Sequence, residues 1–237
     1  MCGRFVASAS PQQLAEHFVT RPPEVELVPN HNVAPTHDVF GIVADDDGRR
    51  LDVFHWGLIP SWAKDRKVGQ RMINARAETL GEKPSFKKLF ATRRCIVPMD
   101  GFYEWMPATP DGPRTRSGKP AKRPVFVHSP EASPLAVAGL WTAWRDPERD
   151  EADDPWLHSL TVVTTAANET MAAVHDRMPV ILDADGVARW IDPDETDIEA
   201  LGELLVPAPP GVVTLYEVST EVNDVRNRGE HLTRPLA

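Results

Sequence analysis

The chain has 237 residues, a formal net charge of −9, an apolar fraction of 41% and two cysteines. That length suits one large domain or two small ones, and the apolar share can fill a sizeable core. Two thiols cannot form a disulfide framework, no apolar stretch approaches the roughly 18 residues of a membrane span, and the N-terminus lacks a signal-peptide pattern, so a cytoplasmic, reducing location is expected.

The charge is unevenly spread. Residues 61–125 hold 15 Lys/Arg against 6 Asp/Glu, which leaves 11 and 29 for the rest of the chain. A basic segment in an acidic body suggests a surface that faces a polyanion, as well as the plainer reading of a basic loop between solvated helices.

The chain opens Met1-Cys2-Gly3-Arg4-Phe5. Cysteine is small enough for Met1 to be excised. Cys2 would then carry an amine and a thiol on adjacent carbons, a 1,2-aminothiol that condenses with an aldehyde and closes a thiazolidine ring. An α-amine titrates near ~7.7–8.0, so a useful fraction is nucleophilic at neutral pH, where a lysine would need burial.

Ser10-Pro11-Gln12-Gln13 reads as a capping box with Pro in the first turn, and Leu14 and Phe18 share one helical face. Residues 38–44 and 51–56 flank the acidic Gly48 turn and predict a β-hairpin. Further strands are predicted at 94–98, 102–106, 125–128, 135–144, 157–165 and 212–218, and helices at 84–90, 169–173, 184–191 and 196–205. Residues 107–124 and 145–154 read as surface excursions of hairpins, not linkers. Strands without regular intervening helices predict a mixed, mainly antiparallel sheet with peripheral helices in an α+β domain.

Several short stretches combine reactive side chains. Asn30 to Thr36 is a polar loop entering a strand, and its Asn side chains suit a turn. Trp56 and Trp62 flank a Gly/Pro turn, Trp56 reading as core and Trp62 as core or as a stacking platform for a nucleobase. Asn74, Arg76 and Glu78 fall within five residues: a capped helix start with a surface ion pair, or an orienting amide beside a phosphate-binding guanidinium. Glu104 lies among Phe102, Tyr103 and Trp105. On a dry face it would act as a general acid or base, and on the wet face it would be ordinary. Histidine is the side chain suited to proton transfer near neutrality, and His175 stands beside Asp176 and Arg177. Cys95 sits in an apolar run and reads as core. No Cys/His set has zinc spacing and no glycine-rich phosphate loop appears, so no cofactor is expected.

The order of these motifs, Met1 to Phe5, Asn32-Val33-Ala34-Pro35, Trp56 to Pro60, Asn74 to Thr79, Gly101 to Trp105 and His175 to Pro179, resembles the SOS response-associated peptidase (SRAP) family, whose members act on abasic sites in single-stranded DNA. The resemblance runs from Cys2 to about Asn227. It implies a single domain around a curved, barrel-like sheet with a positively charged groove. It implies Cys2 as the nucleophile that forms a thiazolidine crosslink, Asn74 as its positioner, and Glu104 and His175 as acid/base residues. Arg4 and Arg76 would hold phosphates, with Asn32, Pro35 and Trp62 shaping the path of the strand. It also implies a lyase side reaction, release of the protein's own Met1, and a monomer that meets DNA and no membrane. The loops 107–124 and 145–154 look long for the family, so the departure falls on the rim of the groove.

Other classes stay open at this point. An N-terminal-nucleophile amidotransferase also begins Met-Cys-Gly, but Arg4-Phe5 follows here where Ile-Val-Gly is typical. A nucleic-acid-binding module without chemistry, or a Cys-His peptidase using Cys2 or Cys95 with His175, would use subsets of the same residues.

Overall fold

The computed structural model describes residues 2–236 except 24, 110, 113, 115, 116 and 150–153. In chain order the strands are β1 (Phe5–Ala7), β2 (Asn30–Val33), β3 (Asp38–Asp45), β4 (Gly48–Trp56), β5 (Asn74–Arg76), β6 (Arg94–Met99), β7 (Gly101–Met106), β8 (Arg123–His128), β9 (Leu135–Arg145), β10 (Trp156–Ala166), β11 (Arg177–Pro179), β12 (Ile181–Leu182) and β13 (Thr214–Glu217). The helices are α1 (Pro11–Phe18), α2 (Pro84–Thr92), α3 (Glu169–Ala172), α4 (Ala184–Ile191) and α5 (Ile198–Gly202).

Local chemistry sets many of these boundaries. The Ser10 hydroxyl accepts from the Gln13 amide and the Gln13 side chain accepts from the Ser10 amide, closing the expected capping box. Asp183 caps α4 by accepting from the Gly186 amide at 2.8 Å. The β3–β4 hairpin turns at Gly48, whose φ of 101° suits glycine.

The strands β4, β3, β6, β9 and β10 close into a ring, because β10 pairs antiparallel with β9 and parallel with β4. The second sheet is antiparallel in the order β13-β8-β7-β1-β2. The result is the single α+β domain with a curved, mixed barrel anticipated above. Alternation along the strands separates two cores. Val39, Val43, Phe54, Cys95, Val97, Val137, Leu160 and Val162 join one cluster with Phe5, Phe102 and Val125 of the second sheet. The other face carries Phe40, Ile42, Leu51, Ile96, Ala138 and Leu140, packed with Phe86, Phe90 and Trp190 of the outer helices.

Short strands depart from the sequence reading. β1, β2, β5 and β11 span three or four residues each, too few for alternation to show. They exist because neighbouring strands pair with them. The loops 107–124 and 145–154 do join antiparallel partners, β7 with β8 and β9 with β10, although parts of both lie outside the described residues.

The strand β10 organises the functional side of the barrel. It pairs with β4 up to Leu160↔Trp56, then with β5 from Val162↔Asn74. Residues 57–73 therefore form a loop between two contacts on one strand. The Gly57 amide donates to Leu160 O at 2.9 Å, and the Trp56 indole donates to Ile73 O at 3.1 Å. Gly57 and Gly69 bring their backbones together: a Cβ on Gly69 would lie 2.5 Å from Gly57 O, and Gly57 has a φ of +130°. This contact pins the loop that carries Trp62. Gly69→Ala is expected to destabilise the fold by about 1–3 kcal/mol through overpacking against backbone. A chemical denaturation midpoint unchanged from the parent would show the contact to be unimportant.

Candidate active site around Cys2

Cys2 is fully buried, in the cluster that contains Phe5, Trp56, Phe102, Val174 and Met178. The start of the chain is held there by β1, whose Phe5 pairs with Val33 on one side and Phe102 on the other. The Phe5 ring meets Trp56 edge-on at 4.9 Å. Burial pushes the Cys2 thiol well above its usual range, the charge of Glu104 pushes the same way, and the Arg4 backbone N–H opposes them. Cys2 is thus a protonated thiol and not a ready thiolate.

Asn74 is placed by β5. Its amide nitrogen donates to Cys2 O at 2.8 Å, and its buried Oδ1 has no hydrogen-bond partner among the described residues. A buried acceptor without a donor is costly unless something fills the position. Glu104 shares its face of β7 with Phe102, two residues away, and is 4% exposed. Of the two faces open to it, the structure selects the dry one, because Tyr103 and Trp105 point to the opposite cluster.

His175 follows α3, whose cap Asn168 accepts from the Met171 amide. Its Nδ1 lies 2.7 Å from Asp176 Oδ1 and 3.0 Å from the Arg177 amide nitrogen. That ring nitrogen thus faces both a backbone donor and a carboxylate acceptor. His175 opens onto a cleft of 440 Å³ with Arg76, Glu78, Thr79, Asp176 and Arg177. Arg76 and Asn74 are two residues apart on β5, so the cleft adjoins the residue that grips Cys2.

The predicted DNA-facing residues take different places. Trp62 is 68% exposed, Arg76 is exposed and Pro35 is half-buried. Asn32 is fully buried, and its amide nitrogen donates to Val222 O, Asp224 O and Asn227 O. Arg4 donates to Asn32 Oδ1 at 2.7 Å and to Val222 O at 2.8 Å, and its guanidinium lies over the Trp105 ring at 5.9 Å. Arg4 and Asn32 therefore tie the segment 222–227 to the N-terminal strand. Cys95 is fully buried core, as expected.

The basic segment also divides. Arg94 donates to carbonyls of Phe90, Ala91, Trp190, Asp192 and Glu195, closing the C-terminal ends of α2 and α4 with one guanidinium. Arg93 covers the Trp141 ring at 4.3 Å, and Arg123 pairs with Glu217. Lys64, Arg66, Arg71 and Arg76 remain exposed near Trp62 and the cleft in sequence. The bidentate pair of Glu78 with Arg177 went unforeseen, because its partners lie 99 residues apart. Among the described residues no group of three or more His, Cys, Asp or Glu is placed to hold a metal ion, and no helix is long and apolar enough to cross a membrane.

The family model for SOS response associated peptidase (SRAP) matches residues 1–225. The chain is 40% identical over 234 residues to the abasic site processing protein YoqW of Bacillus subtilis, covering 98% of each. It is 35% identical over 206 residues to the abasic site processing protein HMCES of Xenopus tropicalis, covering 78% of this chain and 57% of that one. Among crystal structures, a Bacteroides thetaiotaomicron protein shares the fold with a TM-score of 0.82 at 23% identity over the whole of both chains. A phage-related protein of Bordetella bronchiseptica has a TM-score of 0.67 at 31% identity, covering 92% of this chain and 94% of that one. With the match running from the first residue through the Cys2 site to the tethered segment beyond β13, the chain belongs to the SOS response associated peptidase family.

Proposed function

We propose that the chain, once Met1 is removed, captures abasic sites in single-stranded DNA as a covalent thiazolidine adduct on Cys2. The observation that carries this reading is a cysteine at position 2 held inside the core by Asn74 beside the buried Glu104. The relatives' description as abasic site processing proteins supplies the substrate class.

The chemistry follows from the groups. An abasic sugar in its open form presents an aldehyde at C1′. The Cys2 amine adds to that carbon, and loss of water leaves an imine. The thiol then adds across the C=N bond: sulfur bonds to C1′ and the proton passes to nitrogen. A thiol kept protonated by burial and by Glu104 suits this order, because the amine attacks first. Glu104 and His175 serve the proton transfers of ring opening, dehydration and ring closure. Asn74 Oδ1, without a partner among the described residues, is an acceptor to orient the freed amine. β-Elimination from the imine competes with ring closure, so lyase activity is a side reaction. Release of Met1 by Cys2 chemistry is the peptidase activity we assign, in keeping with a role in the DNA damage response.

The strand would lie along the cleft of Arg76 and His175, with Trp62 stacking on a base and Arg4 near a phosphate. Pro35 and Asn32 would shape the path of the strand, Asn32 indirectly by holding 222–227 in place.

Demethionylated protein mixed with abasic single-stranded DNA is expected to give a band that survives denaturation. Cys2→Ala, or protein with a blocked N-terminus, is expected to give none, and a persistent band from either would sink the scheme. Asn74→Ala should slow adduct formation by about ten-fold, the loss of a hydrogen bond to a buried group being about 1–3 kcal/mol; equal rates would remove Asn74 from the reaction. Reversible binding to undamaged strands should weaken with salt by about 0.7 log units per contacted phosphate per decade. A flat titration would count against the cleft as a phosphate track.

A further inference from the structure

The Glu78–Arg177 pair lies in the cleft but has no part in the chemistry above. Its geometry is two-pronged: Arg177 Nη1 meets Glu78 Oε1 at 2.5 Å and Nη2 meets Oε2 at 2.9 Å. Nη2 also donates to Thr164 O at 2.6 Å. Thr164 is the point on β10 where both flanking strands meet, Arg76 of β5 on one edge and Pro179 of β11 on the other. The guanidinium therefore reaches from β11 over β10 to the end of β5. One end of this strap fixes His175, because the Arg177 amide donates to His175 Nδ1 at 3.0 Å. Its other end is two residues from Arg76 and four from Asn74.

The same pair alters the charge of the cleft. Hydrogen bonds from Arg177, with the nearby charge of Arg76, hold the Glu78 carboxyl below the usual carboxylate range, so it is ionised at neutral pH. Glu78 is the more open partner, its side chain 52% exposed against 15% for Arg177. A carboxylate thus stands beside the two guanidiniums of this cleft.

We propose that Glu78 is a positioning residue: through Arg177 it holds His175 in register with Asn74 and Arg76, while its charge weakens phosphate binding in the same cleft. This rests on the reading that abasic DNA occupies the cleft. The two effects have opposite signs, which separates a positioning role from a purely structural one.

The test compares wild type with Glu78→Gln and Arg177→Lys in two assays. The first is reversible binding of undamaged single-stranded DNA over a range of salt. The second is the single-turnover rate of adduct formation at saturating abasic strand. Glu78→Gln is expected to bind undamaged strand several-fold more tightly, with a salt slope steeper by about 0.7 as one more phosphate is engaged. Its adduct rate at saturation is expected to fall by about ten-fold, since small misplacements of acid/base groups are costly. Arg177→Lys keeps the charge and loses the fork, so it is expected to lose adduct rate without any rise in affinity. Because Glu78 is the open partner and Gln keeps an acceptor for Arg177, melting of Glu78→Gln should move by no more than about 4 °C. An unchanged adduct rate in both variants, or affinity and rate falling together in Glu78→Gln, would overturn the proposal. Absence of any adduct from demethionylated wild type would instead overturn the crosslinking reading, and the positioning role with it.

Discussion

A three-residue strand in the middle of a sheet governs everything that happens at Cys2. Phe5–Ala7 pairs with β2 and β7 at once, and the Phe5 ring is driven into the core against Trp56. Chain termini are usually the least ordered part of a domain. Here the segment from Cys2 to Ala7 is held in place because its backbone completes two ladders and the Phe5 side chain fills a space in the shared core. The residue that follows Met1 in sequence is thereby delivered, without any loop, to a dry position beside a carboxylate.

That position explains why the site needs partners from distant parts of the chain. A buried thiol is expensive to ionise. Asn74 grips the Cys2 carbonyl, and Glu104 faces inward only because Tyr103 and Trp105 are consumed by the opposite core. The strand β10 joins these elements. It carries β5 on one edge and β11 on the other, so Asn74, Arg76 and His175 are assembled along a single support. The loop between β4 and β5 takes Trp62 and its basic neighbours out to solvent beside that support, secured by the Gly57–Gly69 contact.

Charge is used in two ways in the same stretch of sequence. Arg94 commits its donors to the ends of two helices, and Arg93 and Arg123 are engaged by Trp141 and Glu217. Among the cations left exposed, Lys64, Arg66 and Arg71 follow Trp62 in sequence and Arg76 lines the cleft. A count of basic residues therefore overstates what a polyanion would meet, because guanidinium groups also satisfy carbonyls and carboxylates inside the protein.

The sequence by itself determined the elements whose signals are local. The Ser10–Gln13 capping box, the Gly48 hairpin, the long β9 and β10 and the helix at Ala184–Ile191 were legible because each rests on neighbours a few residues away or on alternation sustained over many residues. The order of short motifs from Cys2 to Pro179 was legible as a family pattern. The tertiary structure alone decided the rest. β1, β2, β5 and β11 form only because other strands pair with them. The face taken by Glu104 depended on which neighbours entered which core. The link between Glu78 and Arg177 joins residues 99 apart in sequence. The internal use of Arg4 and Asn32 depended on where residues 222–227 pass. Hydrogen bonds between distant segments leave no periodic trace in a chain, so their existence is set by packing and is visible only once the chain has folded.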